Sequence, residues 1–216
     1  VKDCNGVNIY PQIEKQEVYV FGGAMTEAAA LNLMRLPSDT REKVLKLYFS
    51  EQEGIGYHYC RTHINSSDFC EKEYDYVEPG DENLVTFSLR HDEETIFRMI
   101  KEAQKYAKEP LEVIATPWSP PAWMKDNGSR QNGGRLKKKY YALWARYLVK
   151  YIIEARKCGI NVSVISAQNE PQAYVTWDSC LYSAEEESEF IKFHLGPELK
   201  KNQLDDVKVL VWDHNK

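Results

Sequence analysis

Short apolar runs alternate along this chain with longer segments whose apolar positions recur at helical spacing. Residues 18–21, Val-Tyr-Val-Phe, are β-branched and aromatic and read as a strand stopped by Gly22-Gly23. Residues 27–36, rich in Ala and Leu, read as a helix. Ser38-Asp39 opens a second helix, with Asp39 and Glu42 at capping-box spacing, running to about Tyr48. Residues 55–61 predict a strand and 62–91 a polar surface loop. Helix returns over 92–108, with Ile96, Met99, Ile100 and Ala103 on one face and Pro110 beyond its end. A strand over 111–115 precedes a loop over 116–136 that holds three prolines and three glycines. The clearest helix is 138–157, where Tyr140, Leu143, Trp144, Tyr147, Leu148, Tyr151 and Ile152 share one stripe. A strand over 162–167, a helix over 184–199 and a strand over 207–212 complete the pattern.

Strand and helix therefore alternate, which predicts an α/β fold with a parallel sheet and helices packed outside it. Two architectures fit. Five strands complete a doubly wound sheet, whereas a (β/α)8 barrel needs three more. Each predicted strand ends in chemically loaded residues: Arg61 to Asp68, Thr116 to Trp123, Gln168 to Glu170, and Asp213 to Asn215. Polar residues gathered at the carboxyl ends of several strands are a barrel habit. Gly22-Gly23 has neither nucleotide-binding glycine spacing. The reading is an incomplete (β/α)8 barrel of about the first five βα units.

Charge narrows the partners. Lys and Arg number 28 against 33 Asp and Glu, a net of −5 over 216 residues, which gives no electrostatic reason to expect nucleic acid or an anionic membrane. No stretch approaches the roughly 18 consecutive apolar residues of a transmembrane helix. The sequence begins at Val1 without a Met or a basic-then-apolar leader, so its natural N-terminus is expected to be missing and the compartment stays open between secreted or lysosomal and cytoplasmic. Cys4, Cys60, Cys70, Cys158 and Cys180 are odd in number and lack C-x-x-C spacing, so inert thiols are expected. Asn65, Asn127 and Asn161 begin glycosylation sequons. The five histidines have no metal-like spacing, and neither G-x-S-x-G nor H-E-x-x-H occurs. Glu185-Glu186-Glu187 lies in a first helical turn, where acids favour the helix dipole, and no function is assigned to it.

Three clusters carry chemistry. In 166–171, Ser-Ala-Gln-Asn-Glu-Pro, an apolar strand delivers Asn169 and Glu170 to its carboxyl end. A carboxyl in a concave site there suits a general acid, and the Asn amide can bond a sugar hydroxyl. The alternative is a turn after a strand, with Glu170 in solvent. Trp118 and Trp123 stand among three prolines as an aromatic ledge suited to the C–H faces of pyranose rings, or else as core. Arg61 could orient a carboxylate and Asp68 accept from hydroxyls, or the two could serve structural ion pairs.

Together the clusters resemble glycoside hydrolase family 30, in particular its glucosylceramidase (glucocerebrosidase) branch. The carriers are residues 21–30, FGGAMTEAAA; 54–57, GIGY, with Cys60-Arg61 and Ser67-Asp68-Phe69; 117–125, PWSPPAWMK; and Asn169-Glu170-Pro171, four motifs in order across nearly the whole chain. The resemblance implies a retaining glycosidase on a (β/α)8 barrel acting on a β-glucoside or a related carbohydrate or glycolipid. It implies Glu170 as acid/base, Asn169 as the partner of the 2-hydroxyl, Asp68 and Trp118 around the non-reducing unit, and Arg61 in the same pocket. Asn215 is a weaker rim candidate. No metal or organic cofactor is implied, because protonation and carboxylate attack suffice.

The chain also departs from the family. The family's nucleophilic glutamate ends the seventh strand, and no glutamate here matches it. Members carry a β-sandwich domain built from both chain ends, to which only residues 1–16 could belong, leaving 17–216 as partial barrel. The 216-residue chain alone is expected to be inactive and, with open edges at its first and fifth strands, prone to aggregate. The competing reading is a non-catalytic carbohydrate-binding protein of the same fold. The aglycone and the oligomeric state are not legible.

Overall fold

In the computed structural model, residues 6–19 and 21–215 are described. Five parallel strands are hydrogen-bonded in chain order: β1 (Gly22–Ala24), β2 (Tyr59–Ile64), β3 (Glu112–Pro117), β4 (Val162–Ser166) and β5 (Lys208–Leu210). This order decides between the two architectures. A doubly wound sheet reverses its strand order at a switch point, whereas here each new strand adds beside the last, as in a barrel.

The first strand is not the apolar run. Val18, Tyr19 and Phe21 are exposed, Val20 lies outside the described residues, and the strand is the Gly-Gly-Ala that follows. The reason is steric: a Cβ on Gly22 would lie 2.2 Å from the Tyr59 carbonyl oxygen, so only glycine allows β1 and β2 to approach. β2 begins four residues later than 55–61, after Gly56 turns the chain at φ +62°. It thereby carries Arg61, Thr62 and His63 within the sheet.

The helices cover one side. α1 (Glu27–Arg35) is capped by Thr26, whose hydroxyl accepts from the Ala29 N–H, and α2 (Ser38–Phe49) follows directly. The helix expected over 92–108 is two: α3 (Arg90–Glu94) and α4 (Ile96–Gln104). Thr95 breaks them at φ −120°, ψ −93°, and its hydroxyl donates to the His91 carbonyl. The segment between β2 and α3 is less superficial than its polarity implies, because Tyr76, Val77, Leu84 and Leu89 are buried in the core. α5 (Tyr141–Lys157) buries the expected stripe, with Trp144, Tyr147, Leu148, Tyr151 and Ile152 fully enclosed.

The helix expected over 184–199 is interrupted. It comprises α6 (Ala184–Phe190), a π turn (Ile191–Leu195) and α7 (Gly196–Lys201). Pro197 has no N–H for the α-helical ladder, and the wider π turn accommodates the missing bond. Cys60, Cys70, Cys158 and Cys180 are free thiols, and Cys4 lies outside the described residues. Of the sequon asparagines, Asn65 is fully buried, the Asn127 amide donates to the carbonyls of residues 131–133, and Asn161 is exposed.

Candidate active site

Backbone pairing continues beyond the strands and draws their carboxyl ends together. The Ala167 N–H donates to the Leu210 carbonyl, the Asn169 N–H to Pro117, and the Glu170 N–H to Asp213, the last at 2.8 Å. Asn169 and Asp213 form a parallel bridge of their own. Glu170 is held at φ +43°, a left-handed conformation that costs a side-chain-bearing residue about 1–3 kcal/mol. The residue as a whole is partly buried, and the exposed Asn215 amide donates to its Oε1 at 2.9 Å. The weakest of the sequence candidates thus makes direct contact with the strongest.

Arg61 organises the other side. Its Nη2 donates to Asn169 Oδ1 and to Asp213 Oδ2, both at 2.8 Å. A guanidinium only donates, so the oxygen of Asn169, and not its NH2, faces Arg61. The Thr116 hydroxyl also donates to Asp213 Oδ2, at 3.3 Å. Arg61 lies 4.9 Å over the Trp118 ring, covering one face of the indole, and the His63 ring meets Trp118 edge-on at 6.4 Å. Trp118 is 7% exposed, so it is a wall of the site and not an open ledge. Trp123 is partly buried against the core, its ring meeting Tyr140 edge-on at 5.2 Å.

Asp68 follows β2 as an exposed residue whose carboxyl bonds Trp118. Partial desolvation raises this carboxyl above the usual range, Trp118 opposes the rise, and the charges of Asp178 and Glu170 add to it. Five of the six sequence candidates follow the carboxyl ends of β2 to β5, and Arg61 reaches them from within β2. Hydrogen bonds join Arg61 with Asn169 and Glu170 with Asn215, and Trp118 links Arg61 to Asp68.

Asp213 and Gln168 also belong to this constellation, beyond the six sequence candidates. Asp213 follows an apolar strand just as Glu170 does, and that repeated pattern was the available signal. Gln168, fully buried, donates to the Trp118 and Asn169 carbonyls, locking the β3 and β4 ends to each other. The loops after β3 and β4 are pinned by buried charge. Arg130 pairs with Asp75 and Asp178, and Lys125 Nζ donates to the Arg130 and Ser179 carbonyls at 3.0 and 2.5 Å. Burial lowers this amine to about 8. Among the described residues no three His, Cys, Asp or Glu gather as a metal-ligand set.

The glycosyl hydrolase family 30 TIM-barrel domain matches residues 18–216. The chain belongs to glycosyl hydrolase family 30. It is 35% identical to the lysosomal acid glucosylceramidase of Mus musculus over 217 residues, covering 96% of this chain and 42% of that protein. The endo-1,6-β-D-glucanase of Neurospora crassa is 29% identical, covering 95% of this chain and 44% of that protein. The crystal structure of SrfJ from Salmonella typhimurium superposes with a TM-score of 0.91 at 37% identity, covering 100% of this chain and 48% of that one. The chain spans less than half the length of these family 30 relatives. No helix among the described residues is long and apolar enough to cross a membrane.

Proposed function

We propose that these residues form the acid/base half of a retaining β-glycoside hydrolase site. The supporting observation is Glu170: half-buried at a strand end, held in a strained backbone conformation by the Asp213 carbonyl, with its carboxyl oriented by Asn215. In this reading Glu170 protonates the leaving oxygen and later deprotonates the attacking water. Asn169, oriented by Arg61, gives its NH2 to the sugar 2-hydroxyl. Asp68 accepts from hydroxyls of the non-reducing unit, against the Trp118 wall.

Double displacement also needs a carboxylate about 5–5.5 Å from the acid. Asp213 is held by Arg61 and Thr116, and Asp68 by Trp118. On the likeness to family 30, the nucleophile belongs to a later strand of the barrel, outside residues 1–216, and in that reading this chain by itself should not turn over. Residues 1–16 are assigned as a lead-in to a separate β-sandwich domain; their described part, 6–16, has neither helix nor strand. The names of the relatives point to a glucosyl ceramide in one case and a β-1,6-glucan in the other. What these share is a β-linked glucosyl unit, and that is the substrate class proposed.

The test is Glu170→Gln in the full-length protein, with aryl and alkyl β-glucosides as substrates. kcat/KM should fall about a thousandfold on a poor leaving group and far less on a dinitrophenyl glucoside, which needs no proton. An equal fall on both rejects Glu170 as the acid.

A further inference from the structure

Glu187 is a buried acid without a cation. It sits on α6, whose first turn is fixed by a reciprocal Ser183–Glu186 capping box, and it is 4% exposed. Among the described residues no Lys, Arg or His pairs with it, although a buried carboxylate ordinarily demands a partner. Its Oε1 accepts the backbone N–H of Trp212 at 3.2 Å. Burial raises this carboxyl, the Trp212 N–H opposes the rise, and the nearby Asp213 charge adds to it.

The residue it holds is strained. Trp212 stands at φ +52°, which a bulky side chain adopts only when its surroundings impose it. The turn has a chemical consequence. Asp213, next in the chain, gives its carbonyl to the Glu170 N–H and its carboxylate to Arg61, and Asn215 reaches the Glu170 carboxyl. The backbone turn that Glu187 anchors therefore precedes both contacts that hold Glu170.

We infer that Glu187 is a positioning residue for Glu170, acting through the Trp212 N–H and the segment 213–215. The inference rests on Glu170 being the acid. The test is kcat/KM of the full-length protein on two β-glucosides, one with a dinitrophenolate and one with an alkoxide leaving group. A displaced acid slows only the substrate that needs a proton, whereas a general loss of structure slows both alike.

Glu187→Ala should lose about tenfold on the alkyl glucoside and less than about twofold on the dinitrophenyl one. Glu187→Gln, which keeps an acceptor oxygen, should stay within about twofold of the parent on both. If the Ala variant does not accumulate, Glu187→Asp retracts the acceptor by one methylene and should show the same split. Equal losses on both substrates, no loss on either, or a Gln variant as impaired as Ala overturns the inference. Glu170→Gln runs in parallel. If that variant lacks the split, the acid assignment itself has failed; if it shows the split and the Glu187 variants do not, only the role of Glu187 has.

Discussion

Two buried titratable groups behind the Asp68 segment should oppose one another across mildly acidic pH. Asp92 is fully buried and accepts from the Tyr74 hydroxyl at 2.9 Å and the Tyr76 hydroxyl at 2.6 Å. Burial pushes its carboxyl from 3.8 to about 7 despite both donors, a rise worth about 4 kcal/mol. The folded chain then binds a proton that the unfolded chain releases. Asp92 therefore stabilises most below pH 4, and its contribution is lost as pH rises through about 7. His63 works the other way. It is 1% exposed, its Nδ1 donates to the Asn65 carbonyl, and its Nε2 accepts the Glu27 N–H, so the neutral ring is fully used. Burial lowers it from 6.5 to about 4, worth about 3 kcal/mol. Its contribution is present above pH 6.5 and lost as pH falls towards 4.

Between pH 7 and 4 the pair should therefore change stability by only about 1 kcal/mol. Asp92→Asn removes one arm. Urea unfolding of parent and variant at steps from pH 4 to pH 7.5 measures the difference, in which the other titrating groups cancel. Relative to the parent, the variant should lose about 4 kcal/mol as pH falls through this window. Glu27 does not confuse the result. Burial pushes its carboxyl up, but His91, the Glu71 N–H and Cys70 outweigh that and hold it low, so its contribution is lost only below pH 4.5. A difference between parent and variant that is flat with pH would refute the reasoning.

Two further outcomes follow from the charge pairs. Asp213→Asn keeps the shape but removes the charge facing Arg61; with the two side chains 30% and 18% exposed, the stability loss should be about 1 kcal/mol, and kcat/KM should fall about tenfold because Asn169 loses its oriented partner. Thermal unfolding and steady-state kinetics on the full-length protein check both. Arg130→Met leaves Asp75 and Asp178 without their cation, and at 4% exposure for Arg130 the loss should be about 3–5 kcal/mol, read as a fall in Tm.

What was legible in the sequence was whatever depends on local periodicity, and what was hidden depends on close approach between distant segments. The α5 stripe could be read because helix geometry alone brings Trp144, Leu148 and Tyr151 onto one face, and burial followed. β1 could not, because a Gly-Gly-Ala strand has almost no side chains to pattern; it is a strand only because Tyr59 lies against Gly22. Chemistry divides along the same line. Glu170, Asn169, Arg61, Asp68 and Trp118 were nominated from motifs, since each stands at the end of a strand with chemical neighbours in sequence. Asp213 is legible only as part of the loaded strand end 213–215, and Glu187 only as a helix-dipole acid, because their partners are 152 and 25 residues away. Glu187 in particular was indistinguishable from Glu185 and Glu186 as a helix-dipole acid, yet only Glu187 of the three is buried. A run of three identical residues thus divides between solvent and core according to helix phase, and the buried member meets the backbone of another strand end. The positions of the groups that hold Glu170 follow from where parallel strands stop relative to one another, and no local window of sequence contains that offset.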